Sequence, residues 1–134
     1  MTSVTDPDRW ITLGNGADSQ IRTSQSINPE TGKPYINTLA AVAISPAGAS
    51  PEKSTYVAQA VDVIRQSGLP SETNAMFTNI EGDIDDVLKV IRDATMKLAG
   101  QGYRTDVVIR LDIRPGFEGQ IHAKQALVDE ILSE

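Results

Sequence analysis

Hydrophobic and polar residues alternate strictly along residues 104–116, which read RTDVVIRLDIRPG. The alternation puts four apolar residues on one side of an extended chain: Val107, Ile109, Leu111 and Ile113. The other side holds Val108 and then the charged residues Arg110, Asp112 and Arg114. A period of two is typical of a half-buried strand, so we predict that the apolar side is core and that the charged side contributes to function. Proline and glycine at 115 and 116 end the strand.

A second strand is predicted over residues 36–44, which read INTLAAVAI. Val42 and Ile44 face one way, while the small residues Ala41, Ala43 and Ser45 face the other. Small side chains on that second face leave room for another group to approach closely.

Two central segments have apolar residues at helical spacing. The first helix is predicted to begin at Ser50-Pro51, an N-cap hydroxyl followed by proline at the first helical position, and to end before Gly68. The second is predicted to begin after the N-cap Asp83. Its apolar stripe is Ile84, Val87, Leu88, Ile91, Thr95 and Leu98. Residues 71–82 lack a helical period and predict two short strands that turn near positions 76 and 77, and a weaker third helix is expected over 120–133.

This order of elements predicts an α+β, ferredoxin-like βαββαβ sandwich: a four-stranded antiparallel sheet with two helices on one face, plus a C-terminal helix and an N-terminal arm. In that fold the first strand lies between the third and the fourth. The small floor of Ala41, Ala43 and Ser45 is then expected between Asn79 and Glu81 on one side and Arg110 and Asp112 on the other. The opposite sheet face is left bare, so we expect a homo-oligomer formed through that face or through a sheet edge.

Residues 1–37 differ in composition from the rest and predict an arm ahead of a domain over 38–134. The arm is rich in Ser, Thr, Asp, Asn and Gly, and its one apolar cluster is Trp10, Ile11 and Leu13. Because these side chains are costly to expose, we expect a short strand or hook that docks on the domain or on a neighbouring subunit.

Composition narrows the possible functions. The 134 residues include no cysteine, which excludes disulfides and thiolate chemistry, and the net charge of -6 argues against a nucleic-acid partner. The sequence has neither a signal-like start nor an apolar run long enough to cross a bilayer, so we expect a cytoplasmic protein without a membrane partner. A small or cationic ligand suits this charge better.

Five short motifs resemble, in their order and spacing, the small thiamine-binding protein family related to YkoF and MTH1187. They are Ile44–Gly48, Ser54–Val57, Thr78–Asp83, Gly102–Arg104 and Ile109–Arg114. The resemblance implies a ferredoxin-like fold, assembly into dimers or tetramers, and binding of thiamine or a related pyrimidine without catalysis. The N-terminal arm departs from the family pattern, and so does Phe77, which stands where a small residue is expected.

Glu81 is the first candidate for ligand binding. A carboxylate can pair with an aminopyrimidine or with a cationic thiazolium, although a solvated Glu at a strand end is an equal alternative. Asp112 offers the same chemistry, but an ion pair with Arg110 or Arg114 is favoured. These arginines could instead bind a phosphate, or form salt bridges at an interface.

Thr78, Asn79 and Ser45 are further hydrogen-bonding candidates, with turn chemistry or close packing as the alternative. Phe77 could supply a ring for a flat ligand, as could the tyrosines, although packing is the commoner role for an aromatic residue. His122 is the one histidine, without cysteine or a second histidine nearby, so we expect neither a metal nor a cofactor besides the bound ligand.

Two functions remain open. One is a ligand-binding protein that holds thiamine or its pyrimidine at an oligomer interface. The other is a structural or regulatory module whose open sheet face serves self-association alone. We expect no enzyme, because neither a phosphate-binding glycine loop nor a nucleophile elbow occurs in the sequence.

Overall fold

The computed structural model describes residues 20–21, 27–28, 31–48 and 53–133. The strands are β1 Gln20–Ile21, β2 Asn37–Pro46, β3 Ser71–Thr73, β4 Thr78–Asp83, β5 Thr105–Ile113 and β6 Phe117–Glu118. The helices are α1 Lys53–Gln66, α2 Ile84–Ala99 and α3 Gln120–Leu132.

Four strands form one antiparallel sheet in the order β3-β4-β2-β5. The first strand of the domain, β2, therefore lies between β4 and β5, and the intervening helices make the βαββαβ arrangement. The predicted ferredoxin-like α+β fold is confirmed.

The core lies between one face of this sheet and the helices α1 and α2. Alternate residues of β2 point into it, and Ala40, Val42 and Ile44 are at most 6% exposed. Ile64 of α1 and Leu98 of α2 complete the cluster and are equally buried. Each large aliphatic side chain buried in this way contributes about 1.5–3 kcal/mol, so this aliphatic layer supplies most of the stability.

The apolar side of β5 is only partly core, which corrects the expectation for this strand. Register places Ile109 and Leu111 beside Val42 and Ala40 on the helix side of the sheet, as predicted. Nevertheless Ile109, Leu111 and Ile113 are 45%, 38% and 45% exposed. The reason is position, because β5 is an edge strand and both helices pack mainly over the centre of the sheet. Leu88 of the predicted α2 stripe is likewise 43% exposed.

The sequence predicted correctly where α2 begins and where the chain turns between β3 and β4. Asp83 caps α2, since its carboxylate accepts a hydrogen bond from the Asp85 backbone N–H at 3.2 Å. The turn between β3 and β4 is built by Asn74, whose Oδ1 accepts from the backbone N–H groups of Met76 and Phe77 at 3.0 and 2.9 Å. The predicted start of α1 at Ser50-Pro51 lies outside the described residues.

The second face of the sheet is not bare, contrary to the expectation from sequence. Helix α3 lies over it, and a cavity between the two is lined from both sides. We call this second face of the sheet, opposite α1 and α2, the open face.

Part of the N-terminal arm contacts the domain. Strand β1 pairs with β6 in antiparallel fashion. Asn28 is 3% exposed and donates from Nδ2 to Asp83 Oδ2 at 2.9 Å. The apolar cluster of Trp10, Ile11 and Leu13 lies outside the described residues.

Candidate functional site

Glu81 anchors α3 to the sheet. Its side chain lies on the open face of β4 and the residue is 4% exposed. Oε2 accepts hydrogen bonds from Asn37 Nδ2 and from the backbone N–H of Gln120, both at 2.8 Å, and Oε1 accepts from the backbone N–H of Ile121 at 3.0 Å. A helix begins with unpaired N–H groups and a partial positive charge, and the N-cap Gly119 has no side chain to satisfy them. Glu81 performs that role from a neighbouring strand.

A cavity of about 580 Å³ lies on the β3 side of α3, and we call it the edge cavity. Glu81, Asn37, Tyr35, Ser71, Glu118 and His122 are among its lining residues. Asn37 is 1% exposed, and its Oδ1 is the one fully buried side-chain oxygen or nitrogen without a hydrogen bond among the described residues. A buried acceptor in that state costs about 1–3 kcal/mol. Of the polar groups of this cavity, Glu81 holds α3, and Asn37 bonds to Glu81.

A second cavity of about 480 Å³ lies on the β5 side of α3, between the helix and the open face. We call it the open-face cavity. Leu39 and Ala41 of β2 form its floor. Register sets Ala41 opposite Asn79 on β4 and Arg110 on β5, so these polar side chains flank the small residue. Asp112 lines the cavity as well, and Ala123, Lys124 and Leu127 of α3 complete it.

The charges in the open-face cavity divide into paired and unpaired groups. Arg114 donates from Nε to Asp112 Oδ2 at 2.9 Å and from Nη1 to Gln120 Oε1 at 3.0 Å. Asp112 thus forms one of the two ion pairs that the sequence favoured. Arg110 and Lys124 form neither an ion pair nor a side-chain hydrogen bond within the part of the chain that the structure describes. Two cations are therefore available to a ligand.

Three of the predicted site residues lie elsewhere. Thr78 points to the helix side of the sheet, is 5% exposed, and has its Oγ1 at 3.1 Å from Thr73 Oγ1. Together with Ser45 and Phe77 it lines a smaller, largely apolar cleft of about 240 Å³ beside α1. The structure therefore brings Asn79, Arg110 and Asp112 together and sets Glu81 at the neighbouring helix terminus. Thr78, Ser45 and Phe77 lie apart from the cavity and from Glu81.

The remaining polar candidates form local pairs on the surface. His122 is exposed, with Nδ1 at 3.5 Å from Glu72 Oε2. Tyr56 and Tyr103 have ring centroids 4.6 Å apart and hydroxyl oxygens 2.7 Å apart. Within the described ranges, His, Asp and Glu do not form a group of three or more that could hold a metal ion.

Sequence reasoning missed the contribution of α3 to the cavity. Gln120, Ala123, Lys124 and Leu127 are spaced i, i+3, i+4 and i+7, which places them on one face of a helix. That spacing was the available signal, but apolar residues on the other faces of this helix obscured it.

Fold and site together define a small α+β protein with a ligand-sized cavity of mixed polar and apolar lining between its sheet and its C-terminal helix. The chain belongs to the thiamine-binding protein family, whose model matches residues 40–129. It is 37% identical to the UPF0045 protein Mb1933 of Mycobacterium bovis over 98 aligned residues. The alignment covers 72% of this chain and 96% of Mb1933. The UPF0045 protein MJ1052 of Methanocaldococcus jannaschii is 33% identical over 93 residues, 69% of this chain and 93% of that protein.

Solved structures show the same fold. The crystal structure of MJ1052 matches with a TM-score of 0.63 at 33% identity, over 70% of this chain and 97% of that one. A candidate thiamine biosynthesis/salvage protein of Thermotoga maritima, TM0486, matches with a TM-score of 0.58 at 14% identity, over 67% and 98% of the two chains, and bears on the fold alone. Among the described residues, no helix combines the length and the apolar character that crossing a bilayer requires.

Proposed function

We propose that this protein binds thiamine or a related pyrimidine in the open-face cavity and catalyses no reaction on it. The observation that supports this most strongly is the grouping of Asn79, Arg110 and Asp112 around the small residue Ala41. The cavity, at about 480 Å³, is of the size that small-molecule sites occupy. Membership of a family named for thiamine binding points to the same ligand class.

The lining matches the chemistry of an aminopyrimidine. Leu39 and Ala41 below and Leu127 above offer apolar surfaces to the two faces of a flat ring. Asn79 can both donate to a ring nitrogen and accept from an exocyclic amine. Asp112 can accept a further hydrogen bond, because an ionised carboxylate has more acceptor sites than its bond from Arg114 occupies.

Asp112, which lines the cavity, and Glu81, at the N-terminus of α3, have structural partners, which supports binding without catalysis. Three N–H groups hold Glu81, and Arg114 holds Asp112. A general base needs a carboxylate that is free to take up a proton from the substrate. Both carboxylates already accept hydrogen bonds from groups of the protein itself.

Isothermal titration with thiamine tests the proposal. We expect binding heat from the wild-type protein and its loss in Ala41→Leu, because the larger side chain fills the floor of the cavity. Ala43→Leu is the matched control, since Ala43 lies on the same sheet face two residues along β2 but does not line this cavity. Wild-type protein that gives no heat at millimolar thiamine contradicts the proposal.

Self-association through β5 is a second candidate function, and it is also our proposal for how the ligand-binding form assembles. Among the described strands, β5 pairs on one side only, with β2. Its exposed residues Ile109, Leu111 and Ile113 form an apolar row next to backbone groups that no other described strand pairs with. Such an edge favours pairing with another chain.

Sedimentation of Leu111→Lys tests this assembly. We expect smaller species than in wild type, because a charge in the apolar row opposes contact between two copies. Leu132→Lys is the control, since Leu132 is 79% exposed at the end of α3. If thiamine gives no heat while Leu111→Lys dissociates the protein, self-assembly is the better description of its function.

A further inference from the structure

We propose that the open-face cavity selects a phosphorylated ligand, with Arg110 and Lys124 binding the phosphate. This inference rests on the proposed function and narrows it to phosphate or diphosphate esters of the cationic heterocycle. Its basis is the charge of the cavity, which differs from that of the protein as a whole.

Three cations line the cavity: Arg110, Arg114 and Lys124. The one carboxylate among its lining residues, Asp112, is paired with Arg114. Two positive charges therefore remain without a partner in the described structure. The whole chain has a net charge of -6, so this is a positive site on a negative protein.

Nearby acidic groups do not neutralise these two cations. Glu81 lies across β2 from Asp112, but its carboxylate faces the first N–H groups of α3. Glu72 is next to Asn79 in the sheet register, and its Oε2 lies 3.5 Å from Nδ1 of His122, a residue that lines the edge cavity. Arg110 and Lys124 thus keep their attraction for an anion inside the cavity.

Unphosphorylated thiamine fits this arrangement less well than its phosphate esters. Its thiazolium ring carries a permanent positive charge, which two unpaired cations in a partly enclosed cavity repel. A phosphate on the same molecule reverses the sign of the interaction. Arg110 projects from β5 and Lys124 from α3, so the two reach the cavity from opposite walls and can hold phosphate oxygens between them.

The structure assigns distinct chemistry to the two cations. The guanidinium of Arg110 presents N–H donors in a planar fork that matches two phosphate oxygens, while the ammonium of Lys124 acts as a single point charge. Arg110→Lys therefore weakens binding of the ester even though charge is conserved. Lys124→Arg is expected to change it less.

Isothermal titration with thiamine, thiamine monophosphate, thiamine diphosphate and inorganic diphosphate tests this inference. We expect the phosphate esters to bind at least about tenfold more tightly than thiamine, and Arg110→Ala and Lys124→Ala each to reduce ester affinity about tenfold. Thiamine affinity should stay constant or rise in these two variants. Raising the salt concentration should shrink the advantage of the esters.

Arg92→Ala and Lys97→Ala are matched controls, because both remove an exposed cation from α2 on the other side of the sheet. Neither should change the ratio of ester to thiamine affinity. Thiamine binding as tightly as its esters overturns the phosphate assignment and leaves the proposed function intact. Binding of inorganic diphosphate without binding of thiamine or its esters supports the anion site and overturns the proposed ligand.

Discussion

The two sides of α3 use their polar residues differently. On the β3 side, Glu81 and Asn37 are buried and hydrogen-bonded to each other, and Glu81 also holds the helix N-terminus. On the β5 side, Arg110 and Lys124 line a cavity and are unpaired within the described residues. One side holds the helix in position, and the other leaves two cations without a partner among the described residues. A polar residue in a sheet cleft thus indicates a ligand site only if the fold has not already satisfied it.

Loss of Glu81 should have the largest effect on stability. Glu81→Ala leaves three N–H donors without their acceptor, including two at the start of α3. We expect the free energy of unfolding to fall by about 3 kcal/mol or more, measured by chemical denaturation. Glu130→Ala should change it little, because Glu130 is exposed on the same helix. Equal stability of the two variants contradicts the role of Glu81 as an anchor.

Asn37→Ala should have a smaller effect on the same side. The change removes one hydrogen bond to Glu81, but it also removes the buried, unpaired Oδ1. These opposing terms leave a destabilisation of about 1–2 kcal/mol, most of it from the lost bond and the lost packing. A loss as large as that in Glu81→Ala would mean that Asn37 itself fixes the helix.

Arg114→Ala should destabilise the protein still less. Its ion pair with Asp112 is short, at 2.9 Å, but the two side chains are 38% and 46% exposed. Solvent screening limits such a pair to about 1 kcal/mol or less. Thermal denaturation in low and high salt checks this, since the difference from wild type should shrink as salt rises.

Arg110→Ala should leave stability within about 0.5 kcal/mol of wild type, because the side chain is exposed and unpaired in the described structure. Its effect should be confined to ligand affinity. A clear loss of stability in the absence of ligand would place Arg110 with the structural residues and remove the contrast between the two sides of α3.

The architecture could be predicted from local patterns. The alternation in β2 and β5, the cap at Asp83 and the turn before Phe77 fixed the element order, and the order specified the sheet topology. Burial of β5 could not be predicted in the same way. Alternation gives the side of the sheet on which Ile109 and Leu111 lie, but whether a helix covers that side depends on packing at an edge.

The site was predicted only in part, for a similar reason. Register follows from topology, so Asn79, Arg110 and Asp112 could be placed in advance beside the expected floor of small residues. Of that floor only Ala41 lines the cavity, with Leu39 in place of Ala43 and Ser45. The direction of the Glu81 carboxylate could not, because its partners are backbone groups of a helix about 40 residues away in the sequence.

The sequence by itself determined the fold and the two faces of the sheet, because periodicity, caps and turns act over a few residues. The family came from the resemblance of five short motifs. Only the tertiary structure decided that α3 lies over the open face, that Glu81 holds it there and that Lys124 joins Arg110 in one cavity. Those outcomes depend on contacts between segments that are distant in the sequence. Such contacts form where the unpaired N–H groups of a helix end find an acceptor and its apolar residues find a surface to pack against.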